Sequence, residues 1–184
     1  MTTNLASYNN EWYQPGSFLK RGTWFVLNLL FIRSAIIPVY SFKVWLLQLF
    51  GASIGTGVII KPGVSIKYPW LLRIGNHSWI GEQVWIDNLA MVTIGSHVCI
   101  SQGALLLCGN HDYRSASFDL LLKPVVLEDG VWIGAKAMVC PGVTCCSHAV
   151  LTAGSIATQS LEAYGIYQGN PCVKVRERVM GNIQ

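Results

Sequence analysis

The sequence predicts an all-β solenoid, a parallel β-helix, from three observations. An aliphatic or small apolar residue recurs every six positions. These anchors are Ile54, Ile60, Ile66, Ile74, Ile80, Ile86, Ile94, Ile100 and Leu106, then, after one long interruption, Leu127, Ile133, Val139, Cys145, Leu151 and Ala157. A small residue often follows an anchor, as at Gly55, Gly75, Gly81, Gly95, Ser101 and Gly134. The anchors also group in threes, with every extra residue lying between one triple and the next. A helix repeats at about 3.6 residues and a half-buried strand at about two, so neither explains a period of six. A coil of three short flat faces, each sending one side chain inward, does.

Residues 1–50 lack this beat. Met1 to Gln14 shows no basic-then-apolar layout of a secretory signal. Thr23 to Ile32 is apolar and precedes Arg33; a second apolar stretch, Ser34 to Phe50, contains Pro38 and Lys43. Neither reaches the roughly 20 apolar residues of a spanning helix, so two short helices broken near Pro38 are expected. Two uses for them stand side by side. They cap the first coil, whose edge is otherwise open, or residues 17–50 contact a membrane interface through Trp24, Phe25, Phe31 and Trp45 among Lys20, Arg21, Arg33 and Lys43.

Residues 51–160 make about five coils. The step from Ile66 to Ile74 is eight residues, that from Ile86 to Ile94 is eight, and that from Leu106 to Leu127 is twenty-one. If three anchors make one coil, all three insertions leave the prism at one edge. Coils stack about 4.8 Å apart. Lys67-Tyr68-Pro69-Trp70, Asp87-Asn88-Leu89 and the loop at 107–124 therefore line up. Ala135 and Ala153 are eighteen residues apart, one coil, and should stack on one face. After Ala157 the beat stops. Residues 161–184 read as a turn and return strand near Gly165 to Pro171, then a short helix from Val173 to Met180.

Composition narrows the function. The 184 residues are one domain. A net charge of +4 without any basic run does not suggest a nucleic-acid binder. The six cysteines form no Cys-x-x-Cys pair, and no histidines sit at zinc spacing, which points to reduced thiols in the cytoplasm and to no metal. Cys145 falls on an anchor and reads as a small buried apolar residue.

His77, His97 and His148 each lie three residues after an anchor and read as residues of the coil wall. His111 breaks that pattern. It lies in the long interruption, and loops of that size in compact domains are usually functional.

The chain resembles the left-handed β-helix O-acetyltransferases of the hexapeptide-repeat superfamily, in particular those of the colanic-acid type in exopolysaccharide biosynthesis. Ile66-Lys67-Tyr68-Pro69-Trp70, Trp85-Ile86-Asp87-Asn88-Leu89, Gly109-Asn110-His111-Asp112, Val131-Trp132-Ile133-Gly134-Ala135, Pro141-Gly142-Val143, Ala153-Gly154-Ser155 and Gly169-Asn170-Pro171 carry the resemblance. It implies transfer of acetyl from acetyl-CoA to a sugar hydroxyl, with His111 as general base. It also implies a homotrimer with active sites between subunits. Trp132, Gly134, Ala135, Ala153 and Gly154 would line the CoA arm, with Thr158 and Gln159 near its far end. Lys174 and Arg176 are candidates for its phosphates. Asp87, Asn88, Asn110 and Asp112 are candidates for the acceptor, a sugar or lipid-linked saccharide. Asp112, Glu128 or a backbone carbonyl would orient His111. A serine or xenobiotic acetyltransferase on the same fold, or a metal-binding hexapeptide protein using His77, His97 and His148, are the competing readings.

Overall fold

Residues 2–35 and 39–181 are described in the computed structural model. The break expected near Pro38 lies outside them. All fifteen anchors are buried, none more than 9% exposed. They fill a triangular prism whose walls are three parallel sheets. The first holds Ser53–Ile54, Leu72–Ile74, Val92–Ile94, Val125–Leu127 and Thr144–Cys145. The second runs from Ile59–Ile60 to the terminal strands, and the third from Ser65–Ile66 to Ile156–Ala157. Register is anchor on anchor: Ile54 opposite Ile74, Ile74 opposite Ile94, Ile94 opposite Leu127, Leu127 opposite Cys145.

The residue after an anchor is small because the next coil lies against it: a Cβ on Gly75 would come within 2.6 Å of the backbone of Gly95 and Ser96, and one on Gly81 within 2.7 Å of Ile100 O. Three positions after an anchor the backbone turns left-handed: Gly57, Gly63, His77, Gln83, His97, Gly103, Gly130, Lys136, Gly142, His148 and Gly154 all have φ between 55° and 85°. Glycine suits that conformation, and other residues carry some strain there. His77, His97 and His148 are therefore corner residues in one column. His77 and His97 stack at 5.4 Å, Gly130 takes the next rung, and His148 stacks on Tyr164 at 4.8 Å. The column spreads along the prism, and among the described residues no group of three His, Cys, Asp or Glu could hold a metal ion.

Two expectations are corrected at the C-terminal end. The coils number five and a fraction, because the beat continues in altered spacing. Leu161 bridges to Cys145, Tyr164 takes the left-handed corner, and Tyr167 pairs with Leu151. Cys172–Glu177 is a strand rather than a helix, antiparallel to Gly165–Gly169. Val173 and Val175 alternate with Lys174 and Arg176, a period of two. The strand Gly165–Gly169 otherwise leaves its outer edge unpaired, and pairing outweighs the helical reading of the charges.

At the other end two helices, α1 (Phe18–Leu27) and α2 (Tyr40–Leu49), cover the first coil. α1 continues into one wide turn, Asn28–Ile32. Their side chains meet the open carbonyls of that coil on each wall in turn. Gln48 Nε2 donates to Ile54 O at 3.0 Å, Lys43 Nζ to Lys61 O at 3.3 Å and Trp24 Nε1 to Ile66 O at 2.8 Å. Lys43 is fully buried and also donates to Ile32 O at 3.0 Å; burial pushes its pKa down. No helix among the described residues is long and apolar enough to cross a membrane.

Trp24→Phe keeps the packing and removes one donor, leaving Ile66 O unpaired. It should cost about 1–3 kcal/mol in urea unfolding; an unchanged midpoint would show that this cap bond is dispensable.

Candidate active site

The three insertions do leave from one edge, and side chains and backbone tie them together there. Asp87 stands opposite Leu107, Cys108 N donates to Asp87 O at 3.3 Å, and a Cβ on Gly109 would meet Leu89 at 2.7 Å. The longest insertion is a hairpin. Gly109–His111 pairs antiparallel with Leu120–Leu122, and His111 faces Leu120 in register.

His111 is held by one residue twice. Its ring stacks on Phe118 with centroids 4.4 Å apart and planes 9° apart, and its Nδ1 lies 2.9 Å from Phe118 O. A carbonyl only accepts, so Nδ1 carries the proton and neutral His111 keeps its lone pair on Nε2. The hairpin tip fixes that carbonyl. Phe118 has φ 54°, and its N–H donates to Ser115 O at 3.2 Å. Ser115 Oγ and Ser117 Oγ donate to Asp119 at 2.9 and 2.7 Å and hold its carboxyl below the usual range, Ser117 more than Ser115.

Of the three partners weighed for His111, the carbonyl takes the place. Asp112 Oδ1 accepts from Arg114 N at 2.9 Å, and Asp112 N donates to Asp119 O at 2.8 Å. Glu128 Oε2 accepts from Ser147 N and Ser147 Oγ, each at 2.8 Å. Asn110 is exposed, and its Oδ1 accepts from His111 N at 2.8 Å.

Asn88 is corrected from an acceptor contact to a brace. It is completely buried. Its Oδ1 accepts from Lys67 N at 3.1 Å and Tyr68 N at 3.0 Å, while its Nδ2 donates to Tyr68 O and to Leu71 O. All four hydrogen-bonding positions of the amide are thereby used on the insertion below. Asp87 is nearly buried and pairs with Lys67 Nζ at 3.0 Å.

The residues expected along the CoA arm fall on adjacent coils. Gly154 N donates to Ala135 O at 2.9 Å, so Ala135 and Ala153 do stack. Gly134 is small for a reason of packing, since a Cβ there would lie 2.4 Å from Ala153 N. Gly154 has open space around it and φ 70°. Trp132 is 47% exposed, and its Nε1 donates to Ser101 Oγ at 3.0 Å. Thr158 and Gln159 are exposed on the last full coil. Lys174 is not the free cation the sequence suggested. It pairs with Glu162 at 2.7 Å and Glu177 at 2.6 Å, bonds that raise its pKa. Arg176 is exposed on the same strand.

No cysteine offers an activated thiol. All six are unpaired, and burial pushes every one of them up, Cys108 to about 11. Sequence reasoning missed Phe118, whose contribution is its carbonyl and ring, and Lys67 as the partner of Asp87. It also counted the first sixteen residues within an N-terminal helical cap or extension, 1–50, and gave them no place at this edge, because they carry no period.

A prism of six-residue repeats, with one histidine hairpin ejected at an edge and small residues stacked on adjacent coils, defines a class: the hexapeptide-repeat acyltransferases. The comparisons make it specific. The chain is 36% identical over 167 residues to the putative colanic acid biosynthesis acetyltransferase WcaF of Escherichia coli K12, covering 91% of this chain and 92% of that one. It superposes on a hexapeptide-repeat acetyltransferase of Vibrio cholerae complexed with acetyl coenzyme A (TM-score 0.79, 25% identity, 88% of each chain). It also superposes on a galactoside acetyltransferase in complex with coenzyme A (TM-score 0.76, 25% identity, 86% of this chain and 80% of that one). No family model matches. The protein belongs to the hexapeptide-repeat acetyltransferases, whose coil is left-handed.

Asn88→Ala should lower stability by about 1–3 kcal/mol or more, since it strands buried backbone groups at Lys67, Tyr68 and Leu71. Denaturant unfolding measures it; a change below about 0.5 kcal/mol, the usual range of a surface substitution, would contradict the brace.

Proposed function

We propose that the protein transfers acetyl from acetyl-CoA to a hydroxyl of a sugar in polysaccharide biosynthesis, with His111 as general base. The observation that carries this is the Nδ1 to Phe118 O bond at the insertion edge. It leaves Nε2 as the basic nitrogen, and a positioned imidazole suits removal of an alcohol proton near neutral pH. The acceptor hydroxyl gives its proton to Nε2 as its oxygen attacks the thioester carbonyl. The tetrahedral oxyanion collapses, the C–S bond breaks, and the proton on Nε2 passes to the departing CoA thiolate. No acyl-enzyme is needed, in keeping with the raised thiol pKa values.

Trp132, Ala135, Ala153 and Gly154 line the CoA arm in this reading, with Thr158 and Gln159 beyond them. Arg176 supplies a cation for the phosphates, and Lys174 does so only by leaving its carboxylate partners, which an exposed pair permits at little cost. Asp87, Asn110 and Asp112 face the acceptor. The enzyme is a homotrimer with its sites between subunits, for which the half-exposed Trp79, Trp85 and Trp132 on the outer walls supply contact area.

A membrane-bound acceptor suits the outer face of α1. Phe18, Leu19 and Phe25 are 84%, 77% and 68% exposed, and Val26, Leu29 and Leu30 are about half exposed. Beside them lies a cavity of about 990 Å³ lined by Arg21, Arg33 and Lys67 as well as by Phe25, Trp85 and Asp87. An apolar face with cations at its side fits the interface of a membrane containing anionic lipid.

His111→Ala should lower kcat by about 10²–10⁴-fold with little change in the KM for acetyl-CoA; near-wild-type turnover would refute the base. Vesicles containing phosphatidylglycerol should float the protein, and Phe25→Glu with Leu29→Glu should abolish it. Failure of the wild type to float, or a changed oligomeric state in the variant, would assign that face elsewhere.

A further inference from the structure

The chain ahead of α1 belongs to no repeat and caps no sheet. The carbonyls of the first coil are met by side chains of the two helices, so the arm has no capping left to do. Yet its backbone is ordered, at a cost of about 1–2 kcal/mol per residue. Local turns shape it: Asn4 Oδ1 accepts from Ala6 N at 3.1 Å, Asn9 Oδ1 accepts from Glu11 N at 2.7 Å, and Tyr13 N donates to Asn10 O at 2.9 Å.

Its tertiary contacts fall on all three insertions in succession. Trp70 Nε1 donates to Pro15 O, and Gly16 lies against the same ring. Tyr13 Oη donates to Leu89 O. The ring of Tyr8 sits 5.7 Å from that of His111 at 58°, and Asn4 N donates to Ala116 O at 2.8 Å on the hairpin tip. Tyr13 is the pin. Burial first, then Tyr68, Asp87 and Cys108, raise its pKa and keep the phenol a donor. The arm therefore runs from the capped end of the prism to the imidazole, over the edge that carries Asp87.

We propose that residues 2–16 form one wall of the acceptor site, with Tyr8 as the positioning residue that holds the His111 imidazole against Phe118 and offers the acceptor an aromatic face. This rests on the acceptor lying at the His111 edge. Tyr8 is half-buried, with its ring centroid 5.7 Å from that of the imidazole. An aromatic ring with a polar tip suits a sugar, apolar on its C–H faces and polar at its rim.

The test uses the full chain with acetyl-CoA and p-nitrophenyl β-galactoside, and in parallel the rate at which diethyl pyrocarbonate modifies His111, followed peptide by peptide with His77 as internal reference. Tyr8→Ala should raise the acceptor KM by about tenfold, the scale of one lost aromatic contact, and leave the KM for acetyl-CoA and the melting temperature unchanged. It should also speed modification of His111 by a similar factor. Tyr8→Phe should restore both. An unchanged acceptor KM, or equal losses for both substrates with a lowered melting temperature, overturns the proposal. If the galactoside is not turned over, the modification rate decides alone, and no acceleration overturns it. His111→Ala run beside these separates the two readings: retained activity refutes the general base, while the acceptor KM of Tyr8→Ala still judges the wall.

Discussion

Hydrogen bonding between successive coils, with each anchor stacked on its counterpart one coil away, is the constraint on which everything else in this molecule rests. Gly75 N donates to Ile94 O at 2.7 Å and Gly95 N to Leu127 O at 2.7 Å, and such bonds repeat up each wall. They allow no slack in the six-residue count along a wall. Extra residues can leave only where a wall ends, and the regular left-handed corner is then given up. This is why Pro69, Leu89 and Gly109, three residues after their anchors, depart from the corner conformation that Gly142 keeps on the same edge.

A stack of parallel strands has two open ends, and each is closed differently. The first coil receives Gln48, Lys43 and Trp24, one donor for each wall. The last receives a partial coil and a hairpin whose outer strand bears Lys174, Arg176 and Glu177. Charge on the outermost strand guards against further pairing. With both ends closed, the long edge is free to carry chemistry. The loops there brace one another, through Asn88 onto the loop below and Asp87 onto the hairpin above.

Rigidity at that edge suits the role proposed for His111. A general base needs its ring fixed and one nitrogen assigned. Here the fixing comes from a backbone carbonyl and a stacked ring of the same residue, and Tyr8 from a distant part of the chain adds a second ring. A carboxylate partner would stabilise the imidazolium more strongly than a carbonyl does, and the two that were candidates are spent on Arg114 N and Ser147.

The sequence by itself determined the prism, the position of every anchor, the shared edge, the stacking of Ala135 on Ala153 and the singular place of His111. These follow from counting, because a coil that bonds to its neighbour all along its length converts sequence separation directly into position. Only the tertiary structure decided what depends on side-chain direction or on contacts without a period. Asn88 reads as a contact for the acceptor and is a buried brace. Lys174 reads as a free cation and sits between two carboxylates. Val173 to Met180 reads as a short helix, and Cys172–Glu177 is a strand, because an unpaired edge lay beside it. Phe118 acts through its carbonyl, which no side chain announces. The arm at residues 2–16 meets His111 across about a hundred residues of chain, a contact set by the closing of the prism and by no local preference of its own.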